Sequence, residues 1–511
     1  MNNIMSIEAS PEQQAEFVEV LDAEQDEKVS QATLLVNFVT ARCDLFHDAN
    51  GDAYARVRLG GEVRRLETRG FRDWMLAGFY ATEVKSARDQ SVREAIATLS
   101  GIARYQGEQR EVHIRVAHHD GANWIDLGIP GDSRAVRVTA GAWEIVSNPP
   151  VAFVRPESLR PLPVPVSGGD INAIFQYANI PADHRLLVIT VLIDSLRPNT
   201  PYPILELDGE AGSAKSMTAR VLRRLIDPNG CELRSMPRSV EDIFVAAAGS
   251  HVIALENISH LPPAMQDCLC TLATGGGYAR RKLYTDSDES VIVVKRPVTI
   301  NGISASVTAQ DLVDRTISVE LPLIAERVEA DVLLADFDRD HPVILGGLLD
   351  VFAAALARLP RVHLPADQRP RLLEFAKLGC AVAEVMGRTS TAFISEFTAS
   401  RTDSIHRTLD ASPAAAALVE WFEGQREVVM SPKEILNALD RLRPVGVEGW
   451  PRSPKGMGDV LRRAAPALRQ IGIDCRPLGK TGGRGRWRIR RKDMVTSKTS
   501  TEPVSSEEMV L

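Results

Sequence analysis

The stretch GEAGSAKS, Gly209 to Ser216, spaces two glycines, a lysine and a hydroxyl almost as the phosphate-cradling loop G-x-x-x-x-G-K-[ST] does. In such a loop the glycines let the backbone bend close around an anion. The N–H groups of the following helix start face the phosphate, and the lysine ammonium reaches its outer oxygens. Gly209, Glu210, Ala211, Gly212, Ser213, Ala214, Lys215, Ser216 and Met217 form the expected cradle. One position departs from the pattern, because Ala214 stands where a glycine belongs. At a helix start an alanine is expected in right-handed geometry, without strain, so the loop is read as a working one.

A phosphate loop needs companions. YPILELD before it reads as the delivering strand and KSMTARVLRRLID after it as the receiving helix. ATP with Mg2+ is the expected ligand. Lys215 would stabilise the transferring phosphoryl group, and Ser216 would hold the metal together with an acid from a neighbouring strand. HVIALEN supplies that acid, Glu256. Asn257 follows, an amide that can position water but cannot take its proton. RPVTING ends a third strand beside the phosphate strand in Asn301, placed to orient the attacking water. In TAQDLVDRTISVEL, Arg315 is placed to reach a γ-phosphate, its own or a neighbour's. The catalytic set is therefore Lys215, Glu256, Asn257, Asn301 and Arg315.

Two basic regions suit nucleic acid. A hairpin carries Arg280, Arg281, Lys282 and Tyr284 on one arm and Lys295 and Arg296 on the other. Cations track phosphates while an aromatic ring stacks on a base. Near the C-terminus, Arg462, Arg463, Arg469, Arg476, Lys480, Arg484, Arg486, Arg488, Arg490, Arg491 and Lys492 meet few acids. Within a chain of net charge −7, this is a local electrostatic footprint.

These residues must be held by folded elements. The 511 residues are 44% hydrophobic and 25% charged, ordinary for globular domains. The six cysteines are scattered, without zinc spacing, and are expected as reduced buried thiols. The N-terminus lacks a signal core and no apolar run approaches the length that spans a bilayer, so a cytoplasmic protein with no membrane partner is expected. Residues 1–37 read as an acidic flexible lead and 38–155 as an α+β domain of unassigned role. DANGDAY within it reads as a hairpin turn, not a calcium loop. Residues 156–169 read as a Pro/Gly linker, and 170–325 as an α/β core with a mostly parallel sheet. INAIFQYANI and LLVITVLIDSL read as its first helices. Residues 326–410 read as helical, 411–492 as a basic winged-helix module, and 493–511 as a polar, disordered tail.

In this order, the loop, the strand ending in an acid, the hairpin, the strand ending in Asn301 and the D-L-V-D-R run resemble an AAA+ ATPase core. LCTLATGGGYARRKLYTDSDE followed by RPVTINGI narrows the likeness to superfamily III helicases and the phage and plasmid primase-helicase proteins of bacterial mobile elements. The resemblance covers residues 170–325 well and the C-terminal third loosely. It implies a homo-oligomeric ring, usually of six subunits, with nucleotide at each subunit boundary and Arg315 acting in trans. It also implies a hairpin facing single-stranded DNA in the channel through Arg280, Arg281, Lys282 and Lys295. Duplex would lie at the winged helix, near Arg484, Arg486 and Arg488. Two functions stay open: a replicative helicase, and a DNA-binding regulatory or defence ATPase that uses ATP as a slow switch.

Overall fold

Every residue of Ile204–Asp208 is buried, the pattern of a strand covered on both faces in a parallel sheet. The computed structural model describes residues 29–281, 289–302, 307–366, 369–410, 412–444, 449–481 and 484–491. It shows a mixed α/β chain that divides into two compact units, one drawn from residues up to Pro161 and the other mainly from Leu162 onward.

In the N-terminal unit, Cys43–His47 and Ala53–Val57 pair antiparallel, and Val63–Arg65 and Glu108–Gln109 complete a four-stranded sheet. DANGDAY makes the hairpin turn. Asp48 Oδ1 accepts the N–H groups of Asn50 and Asp52, and Gly51 has φ +78°. Helices Gln31–Thr40, Arg69–Glu83 and Asp89–Tyr105 contribute Leu35, Phe71, Met75 and Leu99 to its core.

In the C-terminal unit, four parallel strands run in the order Ile253–Leu255, Val298–Asn301, Ile204–Asp208, Thr316–Glu320. The strand ending in Asn301 therefore lies directly beside the phosphate-loop strand. The strand leading to Glu256 lies one place further out. Arg234 bridges Leu255 in parallel at that outer edge. The hairpin is present as Gly276–Arg281 paired with Glu289–Val294, while Lys282, Tyr284, Asp286 and Asp288 lie outside the described residues.

Three expectations change here. INAIFQYANI forms only a short 3-10 turn, Ile171–Gln176, because Asp170 caps a segment that Pro181 soon interrupts. The strand Glu427–Met430, too short to stand out in sequence, forms one edge of the C-terminal sheet. Finally, one helix, Ala330–Arg358, is long and apolar enough by length and composition to cross a membrane. Half of that stretch is buried inside the unit, as in a core helix. Its Asp350 accepts hydrogen bonds from Trp143 Nε1 and Gly168 N, both at 2.7 Å. A Cβ on Gly346 would meet Val166 O at 1.7 Å, so glycine permits that crossing.

LLVITVLIDSL does form a helix, Arg185–Asp194, buried from Leu186 onward. Its last residue, Asp194, is fully buried. One carboxylate oxygen meets Arg197 at 3.2 Å and the other has no donor among the described residues. Burial pushes its carboxyl up to about 7, against the lowering by Arg197. The native state thus keeps a proton that the unfolded chain, titrating near 4, has lost. Stability conferred at low pH falls as pH rises from about 4 to 7, by on the order of 3–4 kcal/mol. Asp194→Asn removes this slope. Thermal midpoints across that range should fall for wild type relative to the variant, and parallel curves would refute the assignment.

Candidate functional site

The loop's two glycines are required by its path. Gly209 has φ +141°, and a Cβ there would meet Leu321 O at 2.8 Å and Ser213 Oγ at 2.9 Å. Gly212 has φ +96°. Ala214 corrects the expectation of an unstrained helix start: it has φ +58°, ψ +29°, the left-handed region. A Cβ in that region costs roughly 1–2 kcal/mol. Ala214→Gly relieves the strain but loosens the unfolded chain, for a net gain of about 0.5–1 kcal/mol. A raised thermal midpoint checks this, and an unchanged or lowered one would show no stored strain.

Helix Lys215–Ile226 begins with no side-chain cap and no acid in its first turn. Its leading N–H groups and the positive end of its dipole are therefore available to an anion. Lys215 Nζ donates to Gly209 O and Glu210 O, both at 2.7 Å, lying across the loop. Ser213 is fully buried and donates through Oγ to Glu210 O at 3.0 Å. Ser216 and Met217 are half-buried at the helix start, and Glu210 and Ala211 are exposed. Asn179, which the sequence did not single out, clamps the loop. Its Nδ2 donates to Ser213 O at 2.9 Å and Pro322 O at 2.7 Å. Nothing in the NIP context around it distinguishes such a clamp from a turn residue.

The strand register brings Asn301 and Glu256 to the same sheet edge as the loop. Leu207 pairs with Asn301, and Leu255 with Ile300, so Glu256 follows two strand spacings, roughly 10 Å, from the phosphate strand. Asn301 is fully buried. Its Oδ1 accepts Asn257 N at 3.0 Å, while its Nδ2 is a buried donor with no partner among the described residues. Asn257 has φ +56° and an exposed side chain. Glu256 is half-buried, its N–H bonded to Arg234 O at 2.8 Å. Asp208, at the strand end, accepts Gly209 N at 2.7 Å and faces Arg407 at 3.4 Å.

Arg315 stands at the opposite edge. It precedes Thr316, whose register partner is Ile204, at the start of the strand that Asp208 ends. Four residues of strand, roughly 13 Å, separate the two edges. The loop of the same chain is thus out of its reach. Its guanidinium pairs with Asp311 at 2.6 Å. Arg371 reaches Asp311 at 2.5 Å, and Arg371 and Arg401 flank Asp314 at 3.7 and 3.6 Å. Burial raises the Asp311 carboxyl, but Arg315 and Arg371 outweigh it and hold the group below the usual carboxylate range.

The hairpin needs one correction. Lys295 sits at its base with the ammonium over the Tyr202 ring, 5.7 Å from the centroid, and burial lowers its pKa. Arg296 is turned inward, donating to Ala247 O at 2.9 Å. Arg296 thereby leaves the row of cations on the hairpin, because the chain enters the sheet immediately afterwards, while Lys295 stays half-buried at the hairpin base. Arg280 and Arg281 stay on the hairpin strand, opposite Ser290 and Glu289.

The C-terminal module runs helix Pro413–Phe422, strand Glu427–Met430, helices Pro432–Leu439 and Pro454–Gln470, then strands Ile473–Thr481 and Arg484–Arg491. Its sheet places Arg484–Arg491 between the other two strands. Alternation turns Trp487 and Ile489 into the core and Arg486, Arg488 and Arg490 to the other face, with Arg486 and Arg490 exposed. Helix Pro454–Gln470 exposes Lys455, Arg462 and Arg463. Lys455 escaped the sequence reading because it stands apart from the arginine cluster.

A parallel sheet delivering a glycine–lysine–serine loop, followed by a small basic α+β module, defines the broad class of this α/β chain. Comparison with known families is more particular. Residues 171–405 match the actinomycete integrative conjugative element replication protein, and residues 414–502 match the C-terminal domain of the same replication protein. Together the two matches span well over half of the sequence, and the chain belongs to this family of mobile-element replication proteins. No curated protein matches it. Among solved structures it is similar to the SCCmec type IV Cch active helicase, with 11% identity, TM-score 0.47, and coverage of 88% of this chain and 92% of that one. It is also similar to the apo NrS-1 C-terminal region (305–718), with 10% identity, TM-score 0.38, and coverage of 90% and 98%.

Proposed function

We propose that the protein is an ATP-driven DNA motor, a helicase for replication of its mobile element. The observation that carries this is the sheet edge itself. An uncapped helix start behind a loop glycine with no room for a Cβ lies one strand from a buried asparagine with an unused donor. These features fit a Mg2+–ATP group. Residues 209–217 would hold the phosphates, Ser216 and Glu256 the metal, and Lys215 would neutralise charge on the phosphoryl group. Asn301 Nδ2 would orient water. Arg315 would serve a neighbouring subunit's site, which makes a ring, six-membered by resemblance, part of the proposal. Arg280, Arg281 and Lys282 would meet single-stranded DNA. The C-terminal module, as a winged helix, would meet duplex through Lys455, Arg462, Arg463, Arg484, Arg486 and Arg488.

Asn257 favours a second reading, a DNA-bound switch that hydrolyses ATP slowly, since an amide cannot act as the base. ATP turnover with and without single-stranded DNA, together with strand displacement on a fork, separates the two. Stimulated turnover with displacement is expected. Slow turnover unaffected by DNA, and no displacement, would support the switch. No ATP binding would end both.

A further inference from the structure

The N-terminal unit lies outside both family matches, and it contains a groove of about 630 Å³ between helices Arg69–Glu83 and Asp89–Tyr105. Arg69, Arg72, Arg93 and Arg104 line it, with Thr68 and Ser100. Among the described lining residues Glu67 is the lone carboxylate. Each guanidinium is steadied by an acid. Arg72 and Arg93 share Asp89, Arg104 pairs with Glu67 at 2.9 Å and donates to Gly51 O, and Arg69 meets Asp73 at 3.4 Å. Asp73 and Asp89 are not among the described lining residues. A guanidinium has five N–H donors, and these contacts engage only one or two on each.

Ser100, which lines the groove, is 3% exposed, and among the described residues its Oγ has no partner, an unusual state for a buried hydroxyl. Helix Arg69–Glu83 opens onto the same groove. It has no acid in its first turn, and its Thr68 cap serves only Phe71 N, at 3.3 Å. Fixed arginine forks, a free hydroxyl and a helix start all favour a planar or tetrahedral oxyanion. The groove's volume suits a nucleotide-sized group, and Ile96 supplies an apolar part of the wall. We infer that this groove binds the phosphate of a nucleotide or of a short nucleic-acid segment. This site is independent of the phosphate loop and does not depend on the loop's being active.

The test uses the full chain and an arginine-selective dicarbonyl, with modification rates mapped by peptide mass spectrometry. Inorganic pyrophosphate and a six-residue oligothymidylate are the two probes. Arg72 and Arg93 should be slowed about fivefold or more by at least one of them. Arg339, an exposed, acid-paired arginine on another helix, should not change. Protection by pyrophosphate assigns the groove to a nucleotide-type ligand, and protection by the oligonucleotide alone assigns it to a nucleic-acid backbone. Ser100→Ala should raise the half-protecting concentration about fivefold, the value of one hydrogen bond. Lys215→Ala should leave protection unchanged. The inference is overturned if neither probe protects at millimolar concentration, if Arg339 is slowed equally, or if Ser100→Ala has no effect.

Discussion

Lys215→Ala is expected to lower ATP turnover by about 10²–10³-fold, the usual cost of removing one preorganised charge from a phosphoryl-transfer site. The effect should be functional and not structural. Among the described residues Lys215 Nζ hydrogen-bonds only loop oxygens, Gly209 O and Glu210 O at 2.7 Å and Ser213 Oγ at the limit. The loop carbonyls can take water in its place, so thermal stability should shift by no more than about 1 kcal/mol. Lys215→Arg should not restore activity, since a planar fork does not fit where a point charge reaches between loop and phosphate. Phosphate release and the ATP-dependent rise in melting temperature are the two readouts. Turnover within twofold of wild type in the alanine variant would sink the assignment of this loop.

Trp487→Ala is expected to cost about 3–5 kcal/mol, the loss typical of a buried large aromatic. Trp487 is 4% exposed in the C-terminal module. The less obvious expectation is where the loss spreads. Trp487, Ile489, Leu461 and Leu468 belong to one continuous apolar core with Ile405, Leu409, Leu269 and Ile300. Gln470 also donates to Asp314 at 3.0 Å, tying the end of the module's long helix to the Arg315 region. Hydrogen exchange should therefore accelerate in helix Pro263–Thr274 as well as in helix Pro454–Gln470, because the two open as one cooperative unit. Acceleration confined to residues 413–491 would show a detachable module. The same continuity means that deleting residues 455–492 would strip part of a core, so charge reversals at Lys455 and Arg462 are the cleaner probe of DNA binding.

Much of the site was legible from residue order. A phosphate loop advertises itself through backbone chemistry that few residues can supply. Strand–loop–helix alternation around Gly209–Ser216 follows from local hydrophobic patterning. Asn301 could be read because a polar residue ending an apolar run must sit at a strand tip. Asn179 was not legible, since its partners Ser213 and Pro322 lie 34 and 143 residues away. The inward turn of Arg296 was not legible, because charge patterning cannot tell a solvated guanidinium from one satisfied by Ala247 O.

Local chemistry alone therefore determined the kinds of element, the loop and its lysine, the polar strand tips and the basic C-terminal face. All of these depend on neighbours a few residues apart. Tertiary structure decided what depends on register and packing. It set Asn301 beside the loop strand and Glu256 one strand beyond, and it put Arg315 on the far edge, out of reach of its own loop. It also forced Ala214 into left-handed backbone: the loop must close over Lys215 and enter the helix within one residue, and that path demands positive φ whatever side chain is there.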